Sequence, residues 1–249
     1  GFQIRGIMGE LDLLKIPELQ PKRRAETLRM AKEADLEIMM LMTSCKFSSE
    51  STTERKENIE AAKANIDLAN NMGIDKIRVF GGLIDSKVDS ARAYSWLVEC
   101  LYSVAEYGTK AGVYVALETH DDCTDTYVVK DILELVNHPF LKVLWDTHHP
   151  WRIHNQTPKQ CWENIGRYVI DTHFKDSFST KVDPSGYRYC LLGEGEFPVK
   201  DALRQLWDAG YEGYLTLEWE KRWKSYLPDP SVGFPQYMDK IREYISELD

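Results

Sequence analysis

The sequence predicts an α/β fold and, within that class, a (β/α)8 TIM barrel. Short apolar runs alternate with longer amphipathic patterns along the 249 residues, and such alternation within one chain is typical of a parallel sheet. The length allows about 31 residues for each of eight strand–helix units, which suits this barrel. A doubly wound nucleotide-binding sheet is disfavoured, because no glycine-rich phosphate-binding motif follows the first strand. No linker interrupts the pattern, so we expect residues 1–249 to form one domain.

The first half of the chain contains four predicted strands, each an apolar or β-branched run that is too short for a helix. A helix is expected after Ser51, because Glu54 three residues later completes a capping box. Apolar residues then recur every three or four positions until Gly73, a typical helix end. The predicted strands are 4–8, 38–45, 76–80 and 113–118, and the predicted helices are 21–35, 52–72 and 88–109.

The second half repeats the alternation with three more strands. A polar loop that contains Gly186, Gly193 and Gly195 is expected before Pro198, which suits the first position of a helix. Gly210 is expected to end that helix. The predicted strands are 143–146, 169–173 and 214–218, and the predicted helices are 125–137, 158–167, 198–209 and 234–247.

Composition and charge restrict the class of protein. Apolar residues make up 43% and charged residues 29% of the chain, which indicates a soluble globular protein, and no apolar run approaches the ~18 residues of a membrane span. A net charge of −9 disfavours a duplex nucleic acid as the partner, because phosphates require a basic surface. The five cysteines are odd in number and widely spaced, which predicts reduced thiols in a cytoplasmic protein.

Polar side chains gather where the later predicted strands end. Glu118, Asp146 and His173 are separated by about one strand–helix unit, so they are expected at equivalent positions on successive strands. The C-terminal ends of the strands form the face of a barrel where active sites are built. The residues concerned are Glu118, His120, Asp146, His148, His149, His173, Lys175, Asp176, Glu218 and Glu220.

Burial of this set requires a compensating cation. Several carboxylates and an imidazole on one buried face are costly unless a positive charge accompanies them, and these groups are ordinary ligands of Mn²⁺, Mg²⁺, Co²⁺ or Zn²⁺. For His120, His148, Asp171 and Glu220, a structural role at a strand end is an equally good interpretation. The expected metal ligands are Glu118, Asp146, His173 and Glu218.

Five short strings resemble those of the xylose isomerase-like TIM barrels, in their sugar phosphate isomerase/epimerase branch. They are ALETH at 116–120, DTHH at 146–149, HFKD at 173–176, LGEG at 192–195 and LEWE at 217–220. The resemblance covers nearly the whole chain, since RVFGG at 78–82 and IRG at 4–6 also fit.

The resemblance implies a divalent metal ion held by the four expected ligands. It also implies that Glu118 and Glu218 transfer protons, that His149 lies beside the metal and the substrate, and that Lys175 contacts the substrate. The candidate substrate-binding residues are His149, Lys175, His120, Glu220 and Arg78.

The function implied is that of an isomerase or epimerase of a small keto sugar or sugar-like polyol. Its mechanism would be glutamate-mediated proton transfer through a metal-stabilised enediolate. A dehydratase of an inosose or dehydroshikimate-like substrate is the alternative, because loss of a β-hydroxyl follows from the same intermediate. An endonuclease IV-like AP endonuclease is disfavoured, since it needs histidines on early strands and none precedes His120. A non-catalytic sugar-binding barrel would lack ligands that are present here. We expect a small-molecule partner, no membrane or nucleic acid, and a possible homo-oligomer.

The start of the chain carries one further expectation. The first predicted strand resembles the second strand of the family, and the sequence begins at Gly1 rather than at a methionine. We therefore expect an N-terminally shortened barrel that lacks its first strand–helix unit. All four expected metal ligands lie after residue 117, so the predicted site does not depend on that unit.

Overall fold

The main sheet contains seven strands that are neighbours in the order in which they occur along the chain, which is the number of strands that the sequence predicts. The computed structural model describes residues 1–248 and divides into two units, Gly1–Leu144 and the chain from Trp145 onward. The strands are β1 (Phe2–Ile4), β2 (Ile38–Lys46), β3 (Lys76–Phe80), β4 (Tyr114–Glu118), β5 (Leu141–Asp146), β6 (Val169–Phe174), β7 (Asp176–Ser179), β8 (Tyr187–Cys190) and β9 (Leu215–Leu217). Strands β7 and β8 form a separate antiparallel pair.

The first unit consists of parallel strands with helices between them, as the alternation predicts. The predicted start of the second helix is confirmed, because the Ser51 hydroxyl accepts a hydrogen bond from the backbone N–H of Glu54 at 3.2 Å. The other half of the predicted capping box does not form, because the Ser51 N–H donates to the Ser49 hydroxyl and the Glu54 carboxylate accepts from that same hydroxyl. Its predicted end is also confirmed, since Gly73 adopts φ 71°, a left-handed conformation that favours glycine. The helices of this unit are α1 (Arg24–Glu33), α2 (Thr52–Met72), α3 (Ser90–Ala111) and α4 (Thr126–Val136).

The register between β4 and β5 determines which residues of β5 project from the same face of the sheet as Glu118. Glu118, the last residue of β4, lies opposite Leu144 of β5, and paired residues of neighbouring strands project from the same face of a sheet. Side chains two positions apart on a strand also share a face, so Asp146 projects from the same face of β5 as Leu144. Most residues of β4 and β5 are apolar and buried, and each strand ends on a buried carboxylate.

The second unit continues the alternation from the end of β5. Strands β6 and β9 are parallel, with His173 opposite Thr216 and Phe174 opposite Leu217. The helices of this unit are α5 (His148–His154), α6 (Pro158–Ile165), α7 (Val199–Asp208) and α8 (Pro230–Ser246). Across both units, none of the helices in the described residues combines the length and the apolar character that a membrane crossing requires.

The structure corrects the predicted polar loop before α7. This segment contains the hairpin β7–β8, with Ser177 opposite Tyr189. Gly186, in the turn between the two strands, adopts φ 83°, which explains a glycine there. The glycines and charged residues of the segment are typical of a loop, so the alternating Tyr187 and Tyr189 of β8 are not recognised as a strand. Helix α7 also begins one residue later than predicted, because Pro198 precedes its first residue.

Helix α5 was absent from the predicted elements, and His154, predicted in a loop, is its last residue. The helix begins directly after β5 because Asp146 satisfies its first backbone groups. Oδ1 of Asp146 accepts hydrogen bonds from the backbone N–H of His148 at 2.9 Å and of His149 at 3.0 Å. These donors have no partner within a helix, so the carboxylate that ends the strand also starts the helix. The first strand, predicted at 4–8, lies at Phe2–Ile4 instead.

Candidate active site

Charged side chains gather in the second unit where β5, β6 and β9 end. Asp146 is the last residue of β5 and His173 lies on β6. Glu218 follows β9, and its backbone N–H donates to the carbonyl of Phe174 at 3.0 Å, so the β6–β9 pairing carries it to the same end of the sheet. We call the following set the acidic cluster: Asp146, His173, Lys175, Glu218 and Glu220.

The Lys175 ammonium lies among the three carboxylates of the acidic cluster. Its Nζ is 2.8 Å from Oδ2 of Asp146 and 3.0 Å from Oε1 of Glu220, and it forms an ion pair with Oε2 of Glu218. His173 Nδ1 is 3.6 Å from the same Glu218 oxygen. Asp146, His173 and Glu218 each offer a ligand atom, and these atoms lie within 4.8 Å of one another. Asp146, His173 and Glu218, all expected metal ligands, thus lie together in the second unit.

Attraction between opposite charges of the cluster offsets the cost of burying them. Burial by itself raises the pKa of Asp146, but His149 and Lys175 outweigh it and hold that pKa well below its ordinary value. Burial likewise raises the pKa of Glu218, while Lys175 and His173 bring it well below the ordinary value. Burial lowers the pKa of Lys175, and the carboxylates raise it well above the usual range. Asp146 and Glu218 are therefore ionised at neutral pH, beside an ammonium.

The acidic cluster fits a divalent cation in charge and in donor type. Three carboxylates and one ammonium sum to −2 (−3 + 1), and Lys175 is only 3% exposed. A buried excess of negative charge is unfavourable unless a cation balances it. Carboxylate oxygens and an imidazole nitrogen are ordinary ligands of Mg²⁺, Mn²⁺, Co²⁺ and Zn²⁺. A divalent ion would bring the charge of the cluster to zero.

Two adjacent histidines lie beside the cluster at the start of α5. His149 Nδ1 is 3.1 Å from Oδ2 of Asp146, and its Nε2 is 3.1 Å from the hydroxyl of Tyr189. His148 is fully buried, with its Nε2 2.7 Å from the hydroxyl of Ser177. Burial holds the pKa of His148 well below its ordinary value, so this ring is neutral at neutral pH.

In the first unit, the expected ligand Glu118 forms a buried ion pair with Arg78. Arg78 Nη1 is 2.6 Å from Oε2 of Glu118, and the two side chains are 2% and 0% exposed. The guanidinium also lies 3.6 Å from the centre of the Phe80 ring. His120 is only partly buried, with its Nδ1 2.9 Å from Asp121 and its ring 5.0 Å from that of Phe80. Arg78 thus neutralises the charge of Glu118.

Three residues around the histidine pair are not among the candidates that the sequence predicts: Tyr189, Ser177 and Arg152. Arg152 Nη2 donates to the hydroxyl of Ser177 at 2.7 Å and Nη1 donates to Glu196 at 2.9 Å, so it orders the neighbours of His148. Tyr189 and Ser177 lie on the unpredicted hairpin β7–β8. The alternation of tyrosines at 187 and 189 is the signal that would have revealed this strand.

Asp176, a candidate polar residue from the sequence, has a structural role. Its carboxylate accepts hydrogen bonds from the backbone N–H groups of Ser177, Gly193, Gly195 and Phe197, at 2.7, 2.9, 3.0 and 3.0 Å. Burial raises the pKa of Asp176, and the four donors oppose this rise. The residue thereby fastens the loop at 191–197, which includes the LGEG string, to the start of β7.

Comparison with known proteins identifies the family that the sequence resembles. The model of the xylose isomerase-like TIM barrel family matches residues 1–244. Among solved structures, a xylose isomerase domain protein from Planctomyces limnophilus superposes with a TM-score of 0.75 and 20% identity, covering 93% of this chain and 85% of the other. The predicted family and its α/β TIM barrel fold are confirmed.

Two curated relatives are an epimerase and a dehydratase. Fructoselysine 3-epimerase of Shigella flexneri is 24% identical over 198 residues, which cover 78% of this chain and 68% of the relative. The 3-dehydroshikimate dehydratase of Bacillus anthracis is 30% identical over 152 residues, which cover 60% of this chain and 53% of the relative. The resemblance of the sequence to the family implies an epimerase or isomerase, with a dehydratase as the alternative.

Proposed function

The chain belongs to the xylose isomerase-like TIM barrel family, and on that premise we propose that it is a divalent-metal-dependent epimerase or isomerase of a small keto sugar or sugar-like polyol. The acidic cluster is the observation that carries the proposal, because its donors and its charge of −2 suit a divalent ion. The similarity to fructoselysine 3-epimerase supports an epimerase over other enzymes of the family.

We assign the metal to Glu118, Asp146, His173 and Glu218. The last three offer ligand atoms in the second unit. We include Glu118 as the fourth ligand because its string ALETH at 116–120 resembles that of the family. Its buried carboxylate pairs with the Arg78 guanidinium, and a carboxylate is an ordinary ligand of a divalent ion.

The protein residues have separate tasks in the proposed reaction. When bound, a divalent ion polarises the substrate carbonyl and acidifies the adjacent C–H. Glu218 is an ionised carboxylate that remains partly exposed, so it suits the role of general base. In an epimerase, the acid form of Glu118 would deliver a second proton from the opposite face, and exchange with solvent would then restore both glutamates. In an isomerase, one base would carry the abstracted proton to the neighbouring carbon. Lys175 keeps Glu218 ionised and restrains its position, and it remains a candidate substrate contact with His149, His120, Glu220 and Arg78.

A dehydratase is the second candidate, since the relative with the higher identity is a 3-dehydroshikimate dehydratase. The same proton abstraction would lead to loss of water when the substrate carries a hydroxyl β to the carbonyl. The substrate decides between the two outcomes, because the residues proposed for proton abstraction are the same.

Both candidate functions are tested by incubating the protein in D₂O with Mg²⁺ or Mn²⁺ and a panel of ketoses, inososes and 3-dehydroshikimate. We expect deuterium to enter at a carbon next to the carbonyl of a ketose without loss of water. Glu218→Gln should lower this rate by about 10²–10⁴-fold, whereas Glu212→Gln, at an exposed glutamate of the same unit, should leave it unchanged. Loss of water from an inosose or from 3-dehydroshikimate would favour the dehydratase. The absence of both exchange and dehydration across the panel would contradict both functions.

The proposal includes a small-molecule partner and a reducing compartment such as the cytoplasm. All five cysteines carry free thiols, in keeping with that compartment. The net charge of −9 makes a duplex nucleic acid an unfavourable substrate.

A further inference from the structure

Tyr189 connects the hairpin β7–β8 to the site through His149. Its hydroxyl lies 3.1 Å from His149 Nε2, and the side chain is buried, with only 7% of the residue exposed. The other nitrogen of the same ring, Nδ1, lies 3.1 Å from Oδ2 of Asp146. A carboxylate, an imidazole and a phenol thus form a continuous chain of polar contacts.

The chemistry of the two partners determines the tautomer of a neutral His149. Oδ2 of Asp146, which can only accept, lies 3.1 Å from Nδ1. A proton on Nδ1 is therefore favoured over a lone pair that would face this negative charge. Nε2 then has a lone pair and no proton, and it requires a donor. The Tyr189 hydroxyl is a donor at the correct distance.

The position of Tyr189 is itself restrained from several sides. Its backbone N–H donates to the hydroxyl of Tyr226 at 3.1 Å, and β8 pairs it with Ser177 of β7. Its ring lies between two lysines, with Lys175 Nζ 5.4 Å and Lys224 Nζ 5.7 Å from the ring centre. The backbone contacts fix where the side chain of Tyr189 starts, and rotation of its ring away from His149 would cost the two lysine contacts.

We propose that Tyr189 is a positioning residue, whose hydroxyl donates to Nε2 of His149 and fixes the tautomer and orientation of that ring beside Asp146. The inference rests on the proposed function for its kinetic consequence, because His149 adjoins a proposed metal ligand. The hydrogen-bonding pattern does not depend on which substrate the enzyme takes. Partners of this kind in metal sites typically change activity or metal affinity by 10–100-fold when removed.

Kinetics of Tyr189→Phe test the role, with Tyr187→Phe as the matched control on the same strand. We expect Tyr189→Phe to lower kcat by about 10–100-fold with little change in KM, and Tyr187→Phe to leave kcat within about twofold. In a His149→Asn background, which removes Nε2, the additional effect of Tyr189→Phe should vanish, since residues that act through one another are not additive. An equal loss in both backgrounds, or unchanged kcat in Tyr189→Phe, would overturn the proposal.

Nitrogen NMR of ¹⁵N-histidine-labelled wild-type protein with Mg²⁺ gives a second test that needs no substrate and no folded variant. The His149 signals are identified by their absence in His149→Asn or, if that variant does not fold, by their through-space contacts to Tyr189. We expect a protonated Nδ1 and an unprotonated Nε2 that accepts a hydrogen bond. A proton found on Nε2 instead would refute the assignment even if the enzyme proves active. Conversely, the expected tautomer in a protein inactive on every substrate would refute the proposed function and leave the hydrogen bond established.

Discussion

Replacement of Lys175 by methionine perturbs the acidic cluster at its centre. Methionine keeps much of the length of the side chain and removes the ammonium that contacts Asp146, Glu218 and Glu220. The net charge of the cluster then changes from −2 to −3. The variant therefore tests whether the charge of the cluster is matched to a divalent ion.

The expected magnitude follows from burial. Lys175 is 3% exposed and Asp146 is fully buried, and breaking a buried ion pair by removing one partner typically costs about 3–5 kcal/mol. We expect the metal-free variant to lose that much free energy of unfolding. The ammonium also repels a bound cation, since two unit charges ~4 Å apart interact by about 1–4 kcal/mol at effective dielectric constants of 80 to 20. Its removal should therefore tighten Mg²⁺ binding by at least about tenfold.

Urea unfolding, followed by tryptophan fluorescence with EDTA or with saturating Mg²⁺, measures both effects. Mg²⁺ at 100 times its dissociation constant should add about 2.7 kcal/mol to the wild type and more to Lys175→Met. Lys221→Met is the control, because its Nζ donates to the carbonyls of Ser225 and Leu227; its stability should respond to Mg²⁺ as the wild type does. Equal unfolding midpoints for Lys175→Met and wild type in EDTA, or an equal gain on adding Mg²⁺, would refute the charge argument.

Three further predictions concern the scaffold. Ser51→Ala removes the cap of α2 and should cost about 1 kcal/mol of unfolding free energy in a urea titration. Gly195→Ala places a methyl group against a carboxylate oxygen of Asp176 and should cost about 1–3 kcal/mol in the same assay. Hydrogen bonds from Ser179 lower the pKa of Glu196 to about 2, from an ordinary 4.5; because the folded-state pKa is the lower one, this stabilisation is present above pH 4.5 and is lost as the pH falls toward 2. The difference in Tm between wild type and Glu196→Gln should shrink over that interval.

Matched variants separate these mechanisms from general damage. Thr53→Ala in the first turn of α2 and Glu194→Ala beside Gly195 alter exposed side chains and should change stability by less than about 0.5 kcal/mol. A cost for Thr53→Ala equal to that of Ser51→Ala would contradict the capping argument. A well-tolerated Gly195→Ala would show that the loop at 191–197 can move away from Asp176. A Tm difference for Glu196→Gln that stays constant down to pH 2 would contradict the lowered pKa.

The strands and the carboxylates at their ends were predictable because both depend on local patterns. The continuous apolar run of β2 and the polar residues that follow β5, β6 and β9 are visible in the sequence, and parallel strands bring their ends together whatever the details of packing. The caps of α2 follow from Ser51 and Gly73 for the same reason. The resemblance carried by these strings then identified the family.

Other features depend on contacts between residues that are distant in the sequence. The Lys175 ammonium lies among three carboxylates from two strand ends, which no spacing rule indicates. Helix α5 begins where it does because Asp146 accepts from two backbone groups. Tyr189 contacts His149 from the hairpin β7–β8, which the sequence does not predict because its segment is rich in glycine. Tertiary packing decides each of these arrangements.

Isothermal titration of the metal-free protein with Mn²⁺, for wild type and Asp146→Asn, tests the central claim most directly. Asp146 is the residue of the acidic cluster that contacts both Lys175 and His149, and an amide at this position removes one negative charge and one anionic ligand. We expect one Mn²⁺ per wild-type chain, and affinity at least about tenfold weaker in a folded Asp146→Asn variant. No binding by the wild type, or equal binding by both proteins, would contradict a metal site at the acidic cluster.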